Sequence, residues 1–146
     1  MCYAKIILNV YPQIDRVIKD MDKLVLSRCL ASFNDRMPCE MGIKEVYKLM
    51  ETKQKLVDLR FKIKKVLERL DPEEYDLIDY KYFKNRHIDG FDHTSRNYFR
   101  RQHKVIERLE ELLSYIDLSE DKFKRDYYDI PFIRAIADAS RYKGAG

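Results

Sequence analysis

The sequence predicts an all-α protein. Only four glycines and four prolines occur in 146 residues, and two of the glycines lie near the C-terminus. So few chain breakers favour long helices over many short strands. Hydrophobic residues make up 45% of the chain and charged residues 37%, a balance typical of a folded globular protein. We expect one domain over 1–146, with a helical hairpin over 1–70, a compact unit over 71–116 and a C-terminal cap over 117–146.

The first helix is predicted over residues 10–33. Asn9 can cap it, because a short polar side chain accepts a bond from an unpaired helix N–H, and Pro12 suits a first turn. Turn formers in residues 34–38 end the pattern. The apolar positions at helical spacing are Ile14, Val17, Ile18, Met21, Leu24, Val25 and Leu30.

The second helix is predicted over residues 40–70, a stretch with no interior proline. Charged residues of both signs alternate over its polar side. We expect this helix to pair antiparallel with the first helix, because amphipathic helices mostly bury their apolar stripe within their own chain. The alternative is an arm for dimerisation or partner docking. Its stripe consists of Ile43, Val46, Tyr47, Met50, Val57, Phe61 and Leu67.

A third helix is predicted to begin at residue 71. Asp71 can cap it, Pro72 suits the first helical position, and Glu74 has the spacing of a capping box. The positions expected to face the core are Tyr75, Leu77, Ile78 and Tyr82. The connector over 83–95 contains Gly90, which indicates a turn.

Residues 94–116 are predicted to form a helix with two separate faces, and Thr94 or Ser95 can cap it. The stripe expected to face the core contains Tyr98, Val105, Leu109, Leu112 and Ile116, with Phe99, Ile106 and Leu113 beside them. At about 100° per residue, a polar set falls on the opposite arc. Its members are Arg96, Asn97, Arg100, Arg101, Lys104 and Arg108.

The charge of this part of the chain is uneven. Residues 71–80 contain five acids and no lysine or arginine, whereas residues 81–108 contain eight cations, three acids and all three histidines. A local charge of about +5 attracts phosphate. A capped helix with a basic N-terminal half is how a helix-turn-helix presents its recognition helix to a major groove. The alternative is a solvated surface helix, since runs of charge usually face water.

The residues of this region also carry a family resemblance. The string L-D-P-E-E-Y-D-L-I-D-Y-K-Y-F, then a turn, then S-R-N-Y-F-R-R-Q-H-K-V-I-E-R-L-E-E-L-L resembles region four of sigma factors, their promoter-reading domain. It is also similar to small phage and Firmicute regulators such as the ArpU-like group. The resemblance covers 70–113, with D-G-F-D in the connector where the family has a short apolar helix. The whole chain also resembles an uncharacterised clostridial family, which supplies no activity.

The resemblance implies that Ser95, Arg96, Asn97, Arg100 and Arg101 begin a recognition helix. We therefore expect a transcription regulator that binds double-stranded DNA. Its expected contacts to groove edges and phosphates are Ser95, Arg96, Asn97, Arg100, Arg101 and Lys104, with Lys84 and Arg86 holding the backbone from the turn. The alternative is a non-catalytic helical adaptor that binds an acidic protein, RNA polymerase for example, and no nucleic acid. A homodimer through residues 40–70 is a further expectation.

The tail is predicted to contain two short helices that cover the core. Ser119 can cap the first helix, and Pro131 begins the second. Apolar positions in this segment include Phe123, Tyr127 and Ile133.

Other functional classes lack their sequence signals. No Gly-rich phosphate loop, metal-binding His-Glu spacing or nucleophile elbow occurs, so we expect no enzyme, no metal and no cofactor. The cysteines Cys2, Cys29 and Cys39 have no short paired spacing, which fits reduced thiols in a cytoplasm. No apolar run approaches the ~18 residues of a membrane span. The start lacks a basic leader and a cleavage site, so we expect no signal peptide.

Overall fold

The structure is a computed structural model that describes residues 3–33, 39–84 and 96–144, without the side chains of residues 32, 33, 39 and 142–144. It confirms the all-α class, since these residues contain helices and no strand. None of the described helices is long and apolar enough to cross a membrane. The helices are α1 (Tyr3–Val10), α2 (Ile14–Phe33), α3 (Cys39–Glu68), α4 (Pro72–Ile78), α5 (Arg96–Tyr115), α6 (Glu120–Tyr127) and α7 (Pro131–Gly144).

Two short irregular helices complete the described chain. A 3-10 turn, Tyr11–Gln13, follows α1, and a π-helix, Asp79–Phe83, continues α4. The chain forms two compact units. Unit 1 consists of Met1–Pro12 and Lys62–Gly146, and unit 2 consists of Gln13–Phe61. The segments expected from the sequence divide the chain elsewhere, at residues 70 and 116.

The N-terminus differs from the prediction, which placed one helix over 10–33 with Asn9 as its cap. Asn9 lies within α1, where its side-chain amide donates to the Lys5 carbonyl oxygen at 3.0 Å. Pro12 lies in the 3-10 turn between α1 and α2, and a proline cannot donate to a helical ladder. Most side chains of α1 are apolar, and they lie in the core of unit 1. Its buried residues are Tyr3, Ala4, Ile6, Ile7, Leu8 and Val10.

Unit 1 has an extensive apolar core. Helix α1 packs against α5, α7 and the π-helix, and α4 packs against α5. Phe123 of α6 is fully buried, with its ring centroid 6.5 Å from that of Tyr3 and 5.6 Å from that of Tyr127. The tail is therefore part of this core. Its buried apolar residues are Leu118, Phe123, Tyr127, Ile130, Ile133 and Ala137.

Two helix starts in unit 1 agree with their sequence signals. The Asp71 N–H donates to Glu74 Oε1 at 3.0 Å, as in a capping box, and Pro72 is the first residue of α4. The Ser119 hydroxyl accepts a hydrogen bond from the Lys122 N–H at 3.4 Å at the start of α6.

Unit 2 is a hairpin of α2 and most of α3. Three ion pairs join the helices: Arg28 with Glu45, Asp22 with Lys53, and Asp15 with Arg60. As the number of the α2 residue falls, the number of its α3 partner rises, so the two helices run antiparallel. The apolar residues that are buried among the described side chains of this unit are Ile14, Ile18, Leu56 and Leu59.

Candidate nucleic-acid interface

Helix α5 is seated in unit 1 by one apolar face. That face packs against α1 and α4, so the opposite side of the helix is held toward solvent. The predicted core stripe is largely correct, but Leu112 and Ile116 are only half-buried. The buried residues are Tyr98, Gln102, Val105, Ile106, Leu109 and Leu113.

Gln102 is a buried polar residue that the predicted apolar stripe did not include. Its amide nitrogen donates to the Leu77 carbonyl oxygen at 2.9 Å and to the Tyr98 hydroxyl at 3.2 Å. The bond to Leu77 joins α5 to α4, and the bond to Tyr98 lies within α5. Among the described residues, Gln102 Oε1 and Asp79 Oδ1 are buried without a hydrogen-bond partner. Helical spacing places residue 102 in the core stripe, between Tyr98 and Val105, but the predicted stripe contained apolar residues only.

The environment of Tyr98 shifts the pKa of its hydroxyl. Burial raises the pKa of Tyr98, the hydrogen bond from Gln102 lowers it, and nearby Tyr80 raises it, with a net upward shift. Burial also lowers the pKa of Lys81, and the charge of Lys5 adds to that effect. The Tyr98 hydroxyl is held by the hydrogen bond from Gln102 within α5.

Further contacts fix the C-terminal half of α5. Arg108 Nε lies 3.3 Å from Glu74 Oε1 at the start of α4. The helix ends with a Leu118 N–H that donates to the Leu113 carbonyl oxygen at 3.0 Å, across Asp117, which has a φ of 63°. This is the Schellman pattern, in which the left-handed residue lies one position after the C-cap residue. The Tyr3 hydroxyl donates to the Glu110 carbonyl oxygen at 3.4 Å.

The exposed side of α5 carries five of the predicted DNA contacts. Arg96, Arg100 and Lys104 are four residues apart, so they form one row, roughly 12 Å long, along the helix. Asn97 and Arg101 lie beside that row. All five side chains are exposed. We call this set the basic face. Within the described part of the chain, Arg96, Arg100 and Lys104 form no ion pair.

The remaining predicted contacts are not on α5 as described. Lys84 is exposed and caps the π-helix, with a left-handed φ of 58°. Ser95 and Arg86 lie outside the described residues, as does the connector that would form the first part of a helix-turn-helix. The expected cap by Thr94 or Ser95 therefore lies outside them as well.

Phe99 was predicted to lie beside the core stripe, and that prediction is wrong. Its side chain is 58% exposed and its ring centroid lies 5.5 Å from that of Tyr98. On the helix it is one turn from His103, whose Nε2 lies 3.0 Å from Glu107 Oε1. Phe99 lies about 100° from the middle of the row of Arg96, Arg100 and Lys104, so it forms an apolar border to that row.

Similarity to known proteins gives no function for this site. No protein-family model, curated protein or solved structure matches the chain. Among the described residues, no group of three or more His, Cys, Asp or Glu side chains is placed to hold a metal ion. The site is thus defined by its own chemistry, a rigidly seated helix that presents guanidinium, ammonium and amide groups to solvent.

Proposed function

We propose that this protein is a cytoplasmic transcription regulator that binds double-stranded DNA through the basic face of α5. The observation that supports the proposal best is the row Arg96, Arg100 and Lys104, exposed and without ion pairs among the described residues. A surface helix stabilised for its own sake usually pairs its cations with acids three or four positions away. Within α5 such a pair joins His103 and Glu107, and Arg108 pairs instead with Glu74 of α4.

The chemistry of the basic face suits both parts of DNA recognition. Lysine and arginine neutralise phosphates, which supplies sequence-independent affinity. Arginine can also bind the O6 and N7 atoms of guanine with two hydrogen bonds, and asparagine can do the same with adenine. In a recognition helix these contacts come from its N-terminal residues. Arg96, Asn97 and Arg100 lie in the first turn and a half of α5.

The first test concerns Arg100. Replacing it with alanine should weaken specific DNA binding by about 1–3 kcal/mol, because an arginine contact to a base or phosphate is lost. Fluorescence anisotropy with a site selected from random duplexes would measure the change. Arg16→Ala is the matched control, because Arg16 is an exposed arginine on α2. Equal affinities of the Arg100 variant and the wild type would contradict the assignment.

The second test concerns Lys84, which we place on the DNA backbone. Lys84→Ala should weaken binding to all duplexes alike and reduce the slope of log affinity against log salt by about one unit. Both side chains carry a Cβ, so the left-handed backbone at this residue costs the same in the variant. Lys19→Ala, an exposed lysine on α2, is the control. A slope that stays at the wild-type value would remove Lys84 from the interface.

A second candidate function is a helical adaptor that binds an acidic protein such as RNA polymerase. It is favoured by the large apolar side chains that unit 2 exposes, since an exposed patch of this kind is typical of protein-binding surfaces. A homodimer is compatible with either function, because dimeric regulators bind two half-sites on DNA. Retention of an acidic protein without DNA, and loss of that retention in Arg100→Ala, would favour the adaptor.

A further inference from the structure

Helix α3 carries an exposed stripe with the spacing of a paired helix. Ile43, Tyr47, Met50, Gln54, Val57 and Phe61 follow one another at alternating steps of four and three. This heptad spacing keeps a stripe on one side of a helix along its length. Ile43 is 63% exposed and Tyr47 is 68% exposed; Met50 and Phe61 also expose more than half of their surface. We call these six positions the α3 seam.

The α3 seam is distinct from the face of α3 that meets α2. Glu45, Lys53 and Arg60 form the ion pairs to α2. At about 100° per residue, Lys53 and Arg60 lie roughly a quarter-turn from the seam, and Glu45 lies nearly half a turn from it. The buried residues of α3 in unit 2, Leu56 and Leu59, lie more than a third of a turn from the seam. The hairpin supplies one neighbour for α3, and the second face is solvent-exposed.

We propose that the α3 seam binds the α3 seam of a second copy of this chain, antiparallel, so that two hairpins associate through their α3 helices. A two-fold axis near residue 52 would place Ile43 opposite Phe61 of the second copy, and Tyr47 opposite Val57. Gln54 would lie beside the axis. A polar residue in an otherwise apolar seam fixes the register of paired helices.

The apolar area is sufficient for a dimer. A large apolar or aromatic side chain has roughly 150–250 Å² of surface, so the four most exposed seam residues leave about 500 Å² uncovered on one chain. Two copies would bury about 1,000 Å² in total, which is close to the lower limit for a specific interface. The aliphatic parts of the Lys44, Glu51 and Asp58 side chains, which lie beside the seam, would add to that area.

The charges beside the seam favour an antiparallel arrangement. One flank, with Lys53 and Arg60, is engaged by α2, so a parallel pair would have to displace those contacts. The other flank carries Lys44, Glu51 and Asp58, all exposed. Across the proposed axis Lys44 meets Asp58 of the second copy, twice per dimer. Glu51 meets its own copy at the axis, where solvent screens the repulsion.

The oligomeric state of the full chain tests the proposal. Sedimentation velocity from about 1 to 100 μM should show a species of twice the 17.7 kDa mass of the chain. Tyr47→Glu should convert it to monomer, with dimer affinity reduced at least tenfold, because two carboxylates would be buried in an apolar seam. Tyr115→Glu is the matched control, since Tyr115 is an exposed tyrosine on α5. It should remain dimeric.

Charge reversal tests the antiparallel register. Lys44→Glu and Asp58→Lys should each weaken the dimer about three- to tenfold, because each places like charges opposite one another twice. The double variant restores both pairs, so it should recover most of the lost affinity. In a parallel dimer residues 44 and 58 would lie far apart, and the two effects would simply add.

Three results would overturn the proposal. They are a monomer throughout the concentration range, a dimer that Tyr47→Glu leaves intact, and charge reversals that do not compensate. Capture of a different protein by the seam, with the chain itself monomeric, would assign the seam to that partner instead. None of these measurements involves DNA, so they succeed or fail independently of the DNA-binding function.

Discussion

The two units of this chain use their apolar residues in opposite ways. In unit 1, α5 buries its stripe, including the fully buried Leu113, and presents cations to solvent. In unit 2, few of the described apolar side chains of α2 and α3 are buried, and many are exposed. The exposed large apolar residues of unit 2 are Leu24, Leu26, Leu30, Met41, Ile43, Tyr47, Met50 and Phe61.

This contrast shows what helical periodicity can and cannot predict. The stripes of α3 and α5 both predict an amphipathic helix, because the spacing depends only on helix geometry. Whether a stripe is covered depends on the other elements that pack on it. Helix α5 has α1 and α4 as neighbours, whereas the α3 seam faces solvent. We therefore expect unit 1 to be sensitive to core substitutions and unit 2 to be sensitive to partner concentration.

The largest expected effect compares two leucines. Leu113→Ala should lower the free energy of unfolding by about 2–5 kcal/mol, because it removes a fully buried side chain and leaves a cavity. Leu26 is 61% exposed, so Leu26→Ala should change it by less than about 0.5 kcal/mol. Urea unfolding followed by circular dichroism at low protein concentration would measure both. Similar losses would mean that the two units are equally packed.

An intermediate effect is expected at a helix cap of unit 1. Ser119→Ala should cost about 1 kcal/mol, since the Lys122 N–H loses its side-chain acceptor. Ser114→Ala is the control, because the Ser114 hydroxyl only donates to the Glu111 carbonyl oxygen within α5 and alanine is the better helix former. If both variants unfold at the same urea concentration, the α6 cap does not stabilise unit 1.

The smallest effect is expected at the ion pairs of unit 2. Asp22→Asn removes the pair with Lys53, whose Nζ lies 2.6 Å from Asp22 Oδ1. Both side chains are exposed, so the cost should be below about 1 kcal/mol and should shrink as salt is added. Asp20→Asn, an exposed acid on the same helix, serves as the control. A loss that is large and independent of salt would show that this pair holds the hairpin together.

Much of the fold was predictable because its signals are local. The starts of α4 and α6 follow from Asp71, Pro72 and Ser119. Aspartate and serine side chains can accept bonds from N–H groups of the first helical turn, and proline has no N–H that would be left unpaired there. Helix α1 was missed because it has only 8 residues, which is shorter than the stretch over which helical periodicity can be recognised. The 3-10 turn at Pro12 then separated what the periodicity predicted to be one helix.

The candidate site was predictable only in part. Charge and spacing placed Arg96, Arg100 and Lys104 on one arc, and that arc is exposed. The exposure of Phe99 was not predictable, because it depends on where α4 and α1 meet α5. Gln102 has the spacing of the buried stripe, but the predicted stripe contained apolar residues only. Sequence spacing gives the angle of a side chain about its helix axis and does not give the edges of the contact with neighbouring helices.

The most direct test of the basic face is a salt series of binding to mixed duplex DNA, followed by fluorescence anisotropy. Contacts to three to five phosphates would give a slope of about −3 to −5 for log affinity against log salt. We expect a slope in this range, reduced in Arg100→Ala and unchanged in Arg16→Ala. No binding at ~50 mM salt, where the electrostatic attraction is strong, would contradict the account and leave α5 as a solvated helix of unit 1.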